Sequence, residues 1–149
     1  MIAIGNDHGG FSLKEIIISY FKDKGITYKD FGSFNAEAVD YPEVALTIAE
    51  AVARGEFEKG ILICGTGIGI GIAANKVPGI RAALCSDTFS ARVSREHNDA
   101  NILTFGERVI GAGVALDIVD TWLKTQFSGG ERHERRIQKI TDIEKKYMK

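Results

Sequence analysis

At 149 residues the chain is the length of one ordinary domain, long enough to bury a core without staples. It is 44% apolar and 26% charged, as globular domains are, and 19 basic against 20 acidic residues leave a net charge of -1, which gives no field for a polyanion such as nucleic acid. No run approaches the ~18 apolar residues of a membrane span, the start lacks the basic and apolar regions of a signal peptide, and two cysteines make no disulfide framework, so the expectation is a reduced, soluble, cytoplasmic protein.

In chain order, Ile2 to Gly5 reads as a strand and Phe11 to Lys24 as a helix closed by Gly25. Residues 26–32 make a second, weaker strand. Tyr41 to Arg54 is a helix with Pro42 in its first turn and Gly55 past its end. "GILIC", ending at Cys64, is a wholly apolar strand, and the glycine-rich stretch after it opens a helix. "GIRAALC", ending at Cys85, is a fourth strand, followed by a helix from near Asp87. "NILTFG" is a fifth, and Gly111 to Phe127 is a long amphipathic helix. After Ser128-Gly129-Gly130 a last helix runs from about Arg132 to Tyr147. Wholly apolar strands alternating with helices predict a five-stranded parallel sheet covered on both faces, a three-layer α/β/α Rossmann-like sandwich. No repeat or linker splits it, so residues 1–149 form a single domain.

Sites in such folds lie beyond the carboxyl ends of the strands. That rule selects residues 6–10, 31–41, 65–71 and 106–111, with Asp7, His8, Asp40, Tyr41, Thr66, Glu107 and Arg108 as their polar groups. The loop at 65–71 alternates four glycines with Thr66, Ile68 and Ile70. Its spacing fails both the dinucleotide fingerprint and the P-loop. A tight turn needs only one or two glycines; four let several N–H groups converge on a small anion. Cys64 stands at the mouth of that cradle. Most cysteines are inert small hydrophobes, but a thiol beside converging N–H groups should be acidified, which makes Cys64 a candidate base or nucleophile. Cys85, which ends a strand without a cradle, is the control.

Among the histidines, His8 follows Asp7 in "DHGG" and is either bonded to backbone or turned toward a ligand. His97 ends its helix, and Phe89, Val93 and His97 lie four apart, which predicts a buried stripe; a simple capping role is the alternative. His133 beside Arg132 carries the least information. No metal-ligand spacing occurs. On the last helix Ile137, Ile140, Ile143 and Tyr147 share an arc of about 120°, with Arg136 inside it and Arg132 at its edge. Arginines often only flank an apolar stripe, yet two of them four apart also suit a phosphate.

In this order "DHGG" (7–10), "DYPE" (40–43), "CGTGIGI" (64–70), "EHNDANIL" (96–103), "GERVIG" (106–111) and "ERHERRIQKI" (131–140) resemble, over the whole chain, the type B ribose-5-phosphate isomerase family, which includes allose- and galactose-6-phosphate isomerases. The resemblance implies a metal-free, cofactor-free aldose–ketose isomerisation through an enediolate, between ribose 5-phosphate and ribulose 5-phosphate in the non-oxidative pentose phosphate pathway. An allose- or galactose-6-phosphate isomerase, or a non-catalytic sugar-phosphate sensor, would use the same fold. It implies Cys64 as the base, since some relatives use a glutamate further along the loop and this chain has no carboxylate from Ile61 to Ser86. Gly65, Gly67, Ile68 and Gly69 would hold the enediolate oxygen, with the Thr66 hydroxyl beside them. His97 would open the sugar ring, Asn98 and Asp7 would hold hydroxyls, and His8, Arg108, Arg132 and Arg136 the phosphate. It further implies a homodimer with shared sites, often paired into tetramers, and a last helix that extends to the partner subunit.

Overall fold

The computed structural model describes residues 1–35 and 37–148. Its five strands are β1 (Ile2–Asn6), β2 (Tyr28–Asp30), β3 (Lys59–Cys64), β4 (Ala82–Leu84) and β5 (Ile102–Gly106), all parallel, in the order β2-β1-β3-β5-β4. Six helices connect and flank them: α1 (Phe11–Lys24), α2 (Tyr41–Ala53), α3 (Ile68–Ala74), α4 (Thr88–Glu96), α5 (Ala112–Lys124) and α6 (Glu131–Tyr147). The three central strands are buried along nearly their whole length, which is why they read as unbroken apolar runs; the edge strands β2 and β4 are partly exposed and shorter than expected.

Side chains alternate across the sheet. Ile4, Ile61, Ile63, Leu103 and Phe105 face α1, α4 and α5 and surround Trp122. Ala3, Leu62, Cys64 and Ile102 face α2 and α3. Helices on both faces make the three layers. The connections leave β1 and β3 in opposite directions, so the crevice beyond these two neighbouring strands is the switch point of the sheet. Cys64 and Asp7 stand on its two sides.

Each crossover helix returns antiparallel to its strand, so α3, α4 and α5 end at the base of the sheet, where strands begin. Helix α6 starts there, with Ser128 bonded to the Glu96 carbonyl by both N–H and hydroxyl. It passes under β4, where Glu144 Oε1 accepts from Gly79 N–H at 2.8 Å. Of its residues only His133 is buried; Ile140, Ile143 and Tyr147 are 47%, 61% and 73% exposed. The expected apolar arc is therefore left open by this chain.

Candidate active site

The glycine loop is tighter than a turn requires. Gly67 has φ +80°, a conformation side chains resist, and a methyl there would lie 2.7 Å from Leu84 and from the Phe105 backbone. Its N–H donates to Cys64 Sγ at 3.0 Å, and its carbonyl accepts from the Thr104 hydroxyl at 2.9 Å. The thiol is buried, and the donor aimed at it is the kind a thiolate accepts from. Thr66 Oγ1 accepts from the N–H of Ile68, the first residue of α3, at 3.2 Å across the N-cap Gly67. The next N–H groups of that first turn, Gly69 and Ile70, have no acceptor within the helix. Gly69 lies under the Tyr41 ring: a methyl on it would sit 2.6 Å from that ring.

Two loops frame the cradle. Asp7 Oδ1 accepts from Gly9 N–H at 2.8 Å, in a turn that brings Gly9 against Gly65. His8 is exposed, and its Nδ1 accepts from Val39 N–H at 3.3 Å. On the other side the N–H groups of Glu107 and Arg108 donate to the carbonyls of Cys64 and Gly65, both at 3.0 Å. The Arg108 side chain lies across Gly65 and makes no ion pair among the described residues. Asp7, His8, Cys64, Gly65, Thr66, Gly67, Ile68, Gly69 and Arg108 therefore gather at one end of the sheet. Cys85, by contrast, is wholly enclosed, and burial pushes its thiol up to about 11.

His97, Asn98, Arg132 and Arg136 gather at the opposite end. His97 caps α4, and its residue pair 97–98 lies beside Arg81 and Asn101, where β4 and β5 begin. From Gly60, bonded to Asn101, to Cys64 is four residues of strand, about 13 Å at the usual rise. The two groups of expected site residues thus stand at opposite ends of the same sheet. Two arginines fix the turn. Buried Arg95 donates to Asp99 Oδ1, Ala100 O and Thr125 O, while Arg81 donates to the carbonyls of Asn98 and Asp99. The expected buried stripe is corrected here: Phe89 is 65% exposed, because α4 packs through Ala91, Ser94 and Arg95 instead.

His133, which the sequence left uninformative, is the missed residue of this end. It is buried and stacks on His97 with centroids 4.3 Å apart and planes 9° from parallel. Burial first, then the charge of His97, Arg132 and Arg136, hold its imidazole below the usual histidine range. A lone histidine next to an arginine carries no signal of this; only the meeting of α4 and α6 creates it. Tyr41 is a second such residue, marked by its loop but given no contact until its ring is seen over Gly69.

A cavity of about 470 Å³ opens elsewhere, between the ends of α1 and α5, and none of the expected site residues line it. There Tyr20 donates to Asp120 at 2.5 Å, and burial, with that carboxylate, pushes the phenol up to about 12. No group of three or more potential metal ligands occurs among the described residues, and no helix is long and apolar enough to cross a membrane.

Known proteins are similar to this chain in sequence and fold. The ribose/galactose isomerase family model matches residues 2–140. Ribose-5-phosphate isomerase B of Escherichia coli is 52% identical over 145 residues, 97% of each chain. The Listeria innocua protein of the same name is 47% identical over 97% of each. The solved ribose-5-phosphate isomerase B of Clostridium thermocellum superposes with a TM-score of 0.95 at 61% identity, covering 98% of both chains. Fold, motif order and end-to-end similarity agree, and the chain belongs to the ribose/galactose isomerase family.

Proposed function

We propose that this protein is a cytoplasmic ribose-5-phosphate isomerase that works as a homodimer, with each site built from the cradle of one subunit and the histidine end of the other. The observation that carries the reading is the buried Cys64 thiol facing the Gly67 N–H at the mouth of a glycine-rich loop. Such a site suits a reaction in which one proton moves between neighbouring carbons while negative charge grows on an oxygen.

The steps follow from that geometry. The Cys64 thiolate removes the C2 proton of the open-chain aldose. Electrons shift into C1–C2, and the aldehyde oxygen takes up charge as an enediolate. Cradle N–H groups, charge-free and already oriented, stabilise it. The Thr66 hydroxyl serves the proton that passes from O2 to O1. Cys64 then returns its proton to C1, giving the ketose. His97 opens the ring by carrying the proton between the anomeric hydroxyl and the ring oxygen, and Asp7 and Asn98 hold hydroxyls. His8, Arg108, Arg132 and Arg136 supply the charges that a phosphate needs.

The separation of the two ends supports the dimer. The open apolar face of α6, with a groove of about 420 Å³ between it and β4, and the exposed Ile68, Ile72 and Leu46 on the cradle side give a second copy surfaces to cover. A C2 arrangement then completes two equal sites. The test is exchange of the ribose 5-phosphate C2 proton with solvent deuterium during turnover. Deuterium in the product and in recovered substrate is expected; strict retention in every turnover would point to hydride transfer and overturn the thiol-base mechanism.

A further inference from the structure

We infer that Glu107 is a positioning residue for substrate phosphate, one that sets the distance between Arg108 and His8 without touching the substrate. This rests on the reading that those two residues hold the phosphate. Glu107 directly follows β5. Its backbone is tied to the cradle strand through the Cys64 carbonyl, but its side chain crosses to another element, where Oε1 accepts from Leu13 N–H at 2.5 Å. Leu13 is the third residue of α1. The N-cap of that helix is Gly10, which has no side chain to offer, and Asp7 is already bonded to Gly9. The acceptor that α1 lacks locally therefore comes from a residue 94 positions away. Its negative charge also sits at the positive end of the helix.

This bond joins the segment carrying His8 to the loop carrying Arg108. Both are exposed at their tips. The His8 ring has one bond, to Val39 N–H, and Arg108 has no ion pair among the described residues. Their spacing is thus set through the backbone, and Glu107 is the side chain that spans the two backbones. A carboxylate that only capped α1 would affect stability and leave substrate affinity alone.

The experiment measures kcat and KM on ribose 5-phosphate for Glu107→Ala, Glu107→Gln, Arg108→Ala and the Glu107→Ala/Arg108→Ala double variant. Glu107→Ala should raise KM about tenfold, the size of one lost charge-assisted bond, with kcat within about threefold. Glu107→Gln keeps an acceptor for Leu13 and should stay within about twofold of wild type in both. In the double variant the loss of Glu107 should add almost nothing to the KM of Arg108→Ala, because it acts through that residue. If Glu107→Ala does not fold, Glu107→Asp, one methylene too short to reach Leu13, takes its place with the same expectation. An unchanged KM, equal losses in the Gln and Ala variants, or fully additive losses would overturn the inference. A wild-type KM in Arg108→Ala alone would instead remove the phosphate assignment, and the inference with it.

Discussion

The two ends of the sheet hold the two halves of the proposed site, and they are built in opposite ways. At the cradle end the working parts are backbone. A methyl at Gly67, Gly69 or Gly106 would lie within 2.7 Å of its neighbours, so the loop has one shape. At the base the working parts are side chains on helix ends: a stacked histidine pair, an exposed asparagine and two exposed arginines beside an uncovered apolar face. The backbone half is complete within one chain and is suited to charge that appears only in the transition state. The side-chain half is preorganised only around His97, where Arg81 and Arg95 pin the turn, and in the proposed dimer its target is the cradle of the other subunit.

The largest test of this contrast compares the two thiols. Cys64→Ala should lower kcat by roughly 10²–10⁴, the value of a positioned general base, and leave the fold intact. Cys85→Ala should leave turnover unchanged, since its thiol is enclosed, held protonated by burial and set on the opposite face of the sheet. Stopped-flow or coupled assays on both variants decide it. Equal losses would mean that the cradle adds nothing to cysteine chemistry.

A smaller effect separates the halves by subunit. His97→Asn should cost about 10² on ribose 5-phosphate, which is mostly cyclic, and far less on a four-carbon sugar phosphate that cannot close a ring. The two lesions lie at opposite ends of one chain, so equal amounts of Cys64→Ala and His97→Asn chains, allowed to exchange, should regain activity. Random pairing puts half the dimers in mixed form with one intact site of two, which is about a quarter of wild-type activity. No recovery after verified exchange would place both halves of a site within one subunit and contradict the strand geometry.

Much of the cradle was legible because glycine has a distinct backbone chemistry, and four alternating glycines after an apolar strand leave few other readings. The layers followed from the unbroken apolar runs of β1, β3 and β5. The base was legible only in part. His97 was found by its place at a helix end, but periodicity gave it the wrong face: the buried side of α4 is carried by Ala91, Ser94 and an Arg95 bonded through Nε and Nη1, while Phe89 faces out. A pattern of apolar residues says which face ought to be covered, not whether this chain covers it. The same reason leaves the arc of α6 open. The contacts of His133 and Glu107 were invisible for a different cause, since each partner lies more than 30 residues away in sequence, although Glu107 itself was marked by its loop.

The smallest effect concerns that histidine pair and tests whether the base is as tightly built as the cradle. In the unfolded chain the His133 imidazole takes a proton near its ordinary 6.5. In the fold, burial and the positive groups facing it (the His97 ring from the end of α4, Arg132 and Arg136 from α6) hold it neutral to lower pH. Below 6.5 the unfolded state therefore binds more protons than the folded one, and stability must fall as pH falls until the folded group also titrates. Above 6.5 the contribution is complete and flat. Thermal melts of wild type from pH 8 to 5 should show this acid-side decline, and His133→Asn should make it shallower while leaving the curve above pH 7 with the same slope. Parallel curves for the two proteins would mean that His133 is solvated in solution, that the stack is loose, and that His97 owes its orientation to Arg81 and Arg95 alone.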